Sequence, residues 1–82
     1  MALTAELIEE IKILAHYNLA SIQEGIKVHG SANPEVIAAT ERLFDKGLVS
    51  QHDGGYLTDL GIEAAEHAQA VLTILTASLT VS

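Results

Sequence analysis

Four histidines, His16, His29, His52 and His67, are the side chains here best suited to bind a metal or move protons near neutral pH. No two of them lie three or four positions apart, the spacing that puts two ligands on one helix face. Glu63 and His67 are four apart, but that is also the spacing of ordinary helix-surface neighbours. Cysteine is absent, which excludes a disulfide framework and a thiolate metal site. Ser21, Ser31 and Ser50 are nucleophile types, yet no spacing joins any of them to a base. There is no glycine-rich phosphate loop, since Asp53-Gly54-Gly55 reads as a turn. The expectation is a protein without catalytic residues, bound metal or cofactor.

What remains is ionic chemistry. Arg42 and Lys46 lie four apart and could contact phosphates. The preferred expectation is that Arg42 pairs with Glu41 or Asp45 on a solvated face, with Lys46 answering the carbonyls at a helix C-terminus. The wider balance is acidic: 11 Asp and Glu against 4 Lys and Arg, a formal charge of -7. The basic residues, Lys12, Lys27, Arg42 and Lys46, are spread singly. Phosphate contacts supply most non-specific DNA affinity and they need Lys or Arg, so this balance argues against tight autonomous DNA binding.

The elements that position these groups are legible in outline. With 82 residues the chain makes one domain, and 49% hydrophobic content with only Tyr17, Phe44 and Tyr56 as aromatics means an aliphatic core. A first helix is expected over about 4–17, capped by Thr4 with Glu6 in the first turn. Its apolar face is Leu7, Ile8, Ile11, Leu14 and Ala15, and Ile13 and Tyr17 form a second, smaller patch. Leu19, Ile22 and Ile26 share a face of a second helix over 19–27, which Gly25 weakens. A third helix over 34–46 has Asn33 as N-cap, Pro34 at its first position and Gly47 at its C-terminal end. Val36, Ile37, Thr40, Leu43 and Phe44 face its core, and Glu35, Ala38, Glu41, Arg42 and Asp45 face outward. A hairpin over 48–57 turns at Asp53-Gly54-Gly55 through a loop slightly longer than two residues. The last helix runs from 59 to 77 behind the N-cap Thr58. Its apolar arc holds Leu60, Ala64, Ala68, Val71, Leu72, Leu75 and Leu79, widened by Ile74 and Ala65, against a wet side of Glu63, Glu66, Gln69, Thr73 and Thr76. Its β-branched end could instead be a strand.

The order helix, helix, helix, hairpin, helix, with "ERLFDKGLVSQHDGGYLTDLG" inside it, resembles a winged helix-turn-helix domain of the MarR-like and related bacterial regulators. The resemblance covers the chain from Leu19 onward. It rests on Leu43-x-x-Lys46-Gly47-Leu48-Val49 and Gly55-Tyr56-Leu57-Thr58-x-x-Gly61. The chain also resembles short bacterial proteins without assigned function that are labelled DNA-binding by fold. The implied fold is mainly α with a small β-hairpin, a winged helix with an extra C-terminal helix. The resemblance implies that helix 34–46 enters the major groove and that residues 50–56 form the wing. The implied contact residues are Asn33, Glu35, Ala38, Glu41, Arg42, Asp45, Lys46, His52 and Tyr56. Three departures stand against that chemistry. Glu35, Glu41 and Asp45 share the outward face with Arg42. The wing holds Asp53 and neither Lys nor Arg. The segment Val28–Asn33 is longer than the usual turn of ~3–4 residues.

Two functional expectations follow. The resemblance implies a DNA-binding, transcription-regulatory homodimer, and the charge implies an acidic protein-interaction module that meets a basic surface. The surplus apolar residues, Ile13, Tyr17, Ile74, Leu75 and Leu79, are the expected dimer interface. The longest weakly polar run, Ala70 to Val81, falls short of the ~20 residues that cross a bilayer. No basic stretch precedes an apolar run at the N-terminus, so the expected location is cytoplasmic.

Overall fold

The computed structural model describes residues 2–21 and 23–77. Among them, three helices and three short strands follow in the order α1 (Ala5–His16), β1 (Ile26–Lys27), α2 (Pro34–Asp45), β2 (Val49–Gln51), β3 (Gly54–Leu57) and α3 (Asp59–Ala77). The fold is mainly helical, with a three-stranded antiparallel sheet in the spatial order β1-β3-β2. Ile22 and Leu79 lie outside the described residues.

Each helix starts on the cap its sequence supplies. Thr4 Oγ1 accepts from Leu7 N at 3.1 Å and Asn33 Oδ1 accepts from Glu35 N at 2.8 Å. Thr58 Oγ1 accepts from Gly61 N at 3.0 Å while donating to Gly47 O at 2.6 Å. The last cap therefore also ties the start of α3 to the end of α2. Such caps satisfy N–H groups that the helix itself leaves open, each contributing about 1 kcal/mol.

The hairpin turns through two residues, His52 and Asp53, a tighter loop than expected. Gly54 (φ 121°) and Gly55 (φ 73°) adopt backbone angles that side chains resist. The register slips between Val49↔Leu57 and Gln51↔Gly54, so β3 carries one extra residue. Tyr56 N closes that irregularity by donating to Ser50 Oγ at 2.9 Å.

The segment expected as a second helix over 19–27 is not one. Asn18 Oδ1 captures Ala20 N at 2.9 Å, a local bond that competes with helix formation. Gly25 then runs against the Gly55 carbonyl, with room for no Cβ. Ile26 and Lys27 pair with Gly55 and Gly54 as β1. The apolar spacing of Leu19 and Ile26 serves a turn and a strand, and both pack on the core.

The core consists of Ile13, Leu14, Tyr17, Ala39, Leu43, Val49 and Ala65. Ile13 and Tyr17, expected on an outer patch, are instead 6% and 4% exposed. Glu10, Ile13, Leu14 and Tyr17 form the buried stripe of α1 at helical spacing, and Tyr17 Oη donates to Gly55 O at 3.2 Å, fastening α1 to the sheet. Burial pushes the Tyr17 hydroxyl pKa up, so it stays protonated as that bond requires. Phe44, expected inside, lies half in solvent with its ring edge-on to His52, centroids 6.5 Å apart.

Candidate functional site

Two surfaces have the character of a site. The first is α2 with the hairpin, where sequence reasoning placed the contact residues. Glu35, Ala38, Glu41 and Asp45 are exposed on α2, as are His52 and Tyr56 on the hairpin. Two shallow clefts flank them. Glu35, Ala38 and Arg42 border a shallow cleft of about 390 Å³ whose other wall is Glu6 and Glu9 of α1. Glu41 and His52 border a different cleft of about 460 Å³ with Lys27, His29 and Asp53. Tyr56 lies on the sheet beside Gly25. Asn33 is occupied in capping α2.

Arg42 is half-buried and Lys46 exposed, yet both reach toward α1. Arg42 Nε donates to Glu10 Oε2 at 2.8 Å, and Lys46 Nζ donates to Glu10 Oε1 at 2.5 Å. Arg42 Nη2 also reaches the Glu6 carbonyl at 3.2 Å. One carboxylate, with 4% of its residue surface exposed, thus receives both cations that α2 offers. Burial alone would raise the Glu10 pKa. The hydrogen bonds from Lys46 and Arg42 and their charges outweigh burial, so the carboxyl titrates below its ordinary value of 4.5. Neither neighbour expected as Arg42's partner, Glu41 or Asp45, is used. Lys12 pairs with Glu9 at 3.1 Å. Among the basic residues Lys27 alone has no ion pair in the described part of the chain, and it stands exposed on β1.

Glu10 was not anticipated from the sequence, though a signal for it existed. It lies three, four and seven positions before Ile13, Leu14 and Tyr17, on one helix face. Arg42 and Lys46, four apart, present two cations side by side. A carboxylate on an otherwise apolar stripe needs such a partner.

The second surface is a groove of about 840 Å³ between α1 and α3. Its walls include Ile8, Ile11 and Ala15 from α1 and Ala68, Val71 and Leu72 from α3, with Leu3 at one end. The polar residues on it are Lys12, His16 and His67. Beside the groove residue Leu14, Gln69, expected on the wet side, donates from Nε2 to Leu14 O at 3.2 Å and Tyr17 O at 2.7 Å. These carbonyls belong to the open C-terminal end of α1. Closer to the hairpin, Gly61 lets α3 approach the strand: a Cβ there would run into the Leu48 carbonyl. Of the expected interface residues, Ile74 and Leu75 are exposed at the far end of α3.

No group of three or more His, Cys, Asp or Glu among the described residues is placed to hold a metal ion. No described helix is long and apolar enough to cross a membrane. The model of a family described as a family of unknown function (DUF5669) matches residues 1–76. No curated protein and no solved structure matches the chain.

Proposed function

Because the chain belongs to the family of unknown function DUF5669, its role has to be read from its own surfaces, and we propose that it is a small winged-helix module for protein–protein contact. The order of elements supports the winged-helix reading. A helix ends on Gly47, leads directly into a tight hairpin, and a short strand from the preceding segment completes the sheet as β1-β3-β2. In that reading α2 is the recognition helix and His52-Asp53 the tip of the wing.

The observation that carries the function is the capture of Arg42 and Lys46 by Glu10. With both cations turned toward α1, the open face of α2 presents Glu35, Glu41 and Asp45, and the hairpin adds Asp53. A duplex carries one negative charge per ~1.7 Å of axis, so such a face repels it. A protein surface rich in lysine or arginine is its electrostatic complement.

An NMR titration of labelled protein at about 20 mM salt, the condition most permissive for charge-driven binding, tests the proposal. A lysine-rich peptide is expected to shift amides in 33–46 and 50–56, with the shifts fading as salt rises. A mixed-sequence duplex at millimolar concentration is expected to shift none. Salt-sensitive duplex shifts on those segments would overturn the proposal in favour of a DNA-binding regulator. A peptide that leaves them unmoved would overturn it as well.

A further inference from the structure

We propose that the groove between α1 and α3 seats a second copy of this chain, and that the occupant is the C-terminal half of the second copy's α3. The surface involved is separate from the acidic face of α2, so the two proposals stand or fall independently.

The first argument is where apolar surface is exposed. Of the nine large hydrophobic residues exposed among the described ones, five, Leu3, Ile8, Val71, Leu72 and Leu75, line this one groove. Apolar exposure concentrated on one side marks a contact surface, whereas scattered residues would not. Leu3 and Ile74 are each 68% exposed, more than any other residue of that set.

The second argument is self-complementarity. The groove needs an apolar helical filler, and α3 supplies one. All residues from 70 to 77 are exposed, and Val71 and Ile74 stand more than half in solvent. Such an end gains little stability by itself, because short helical stretches depend on packing. Groove and filler lie side by side in one chain. A two-fold pairing therefore satisfies both copies at once, each α3 lying in the other's groove.

The third argument is charge. Two copies that each carry -7 repel. From His67 to Ala77 there is no Asp, Glu, Lys or Arg, and the charged residue lining the groove is Lys12. This is the side on which two copies can meet without opposing carboxylates. A basic protein partner, favoured on the acidic face, gains nothing here.

Sedimentation velocity from a few micromolar to about 100 μM, with isotope-filtered NMR on a mixture of labelled and unlabelled chains, tests the proposal. The expected result is a dimer, with contacts between Ile8 methyls of one copy and Ile74 methyls of the other. Ile74→Glu is expected to weaken the dimer about 30-fold or more, since it removes a buried aliphatic side chain from each half of a two-fold contact. Leu60→Glu, on α3 but outside the groove, is expected to leave the dimer unchanged. Circular dichroism confirms that each variant folds. A monomer across the whole range would overturn the proposal. So would a dimer that ignores Ile74→Glu, or one without the Ile8–Ile74 contacts.

Discussion

Arg42 and Ile8 mark two sides of this molecule that meet solvent in opposite ways. Arg42 is a charged residue on a polar face, and the fold turns it inward to Glu10. Ile8 is aliphatic, and the fold leaves it at the edge of an open groove. On the α2 side, both cations of the helix have a carboxylate partner in Glu10. On the α1–α3 side, apolar surface stands exposed among the described residues. The first pattern is that of a finished surface whose remaining charge selects a partner. The second is that of a surface which the proposed second copy would complete. Both share one core, so changes at graded distances from it can separate them.

The largest effect is expected where the two sides meet. Leu43 is fully buried, between α1 and the sheet, and it positions α2 relative to both. Leu43→Ala leaves a cavity and should cost about 2–5 kcal/mol. For a domain of this size that is a large share of the total. Urea unfolding should show the loss, and both faces should fail together. A variant of near-native stability would mean that the core is not shared.

A smaller effect, confined to the polar side, is expected from Glu10→Gln. The amide offers one acceptor oxygen where the carboxylate offered two, and it turns its NH₂ group toward the other cation. Lys46 can swing into water, so the loss should be about 2 kcal/mol near pH 7. Its pH dependence has a definite sign. The fold holds the Glu10 carboxyl below 4.5, so its ionised form is favoured in the folded chain. The contribution is complete above that value and disappears as pH falls through the lowered one. The stabilities of parent and variant should therefore converge in acid. A gap that persisted undiminished at about pH 2 would point to packing instead of charge.

The same contrast explains what could be read without the structure. The bounds of α2 and the starts of α1 and α3 were legible because Asn33, Pro34, Gly47, Thr4 and Thr58 act within a few residues of themselves. Segment 19–27 was not, because its outcome is decided by the pairing of Ile26 and Lys27 with a strand nearly 30 positions away. Leu19, Ile22 and Ile26 fit a helix equally well by spacing. The site divides in the same way. That α2 and the hairpin would be exposed and acidic followed from Glu35, Glu41, Asp45 and Asp53. The direction of Arg42 and Lys46 did not follow, because their partner is 32 and 36 positions away. Tyr17 is a similar case, since its hydroxyl finds Gly55 O across 38 positions.

The smallest expected effect gives the sharpest separation of the two sides. Gln69 holds α3 to the end of α1 through two hydrogen bonds from one amide nitrogen, and one acceptor belongs to Leu14, which lines the groove. In Gln69→Ala the carbonyls of Leu14 and Tyr17 lose that donor. The residue is half-buried, so water can replace part of what is removed, and the cost should be about 1 kcal/mol. What matters is where the change is felt. If the groove is positioned by this anchor, amide exchange should quicken along α1 near His16 and along α3 from Gln69 onward. The amides of α2 and the hairpin should keep their rates, because α2 is fastened to α1 through Glu10, near the middle of that helix. Uniform quickening over the whole chain would instead mean that one cooperative unit carries both faces, and that a partner seated in the groove is felt on the acidic side as well.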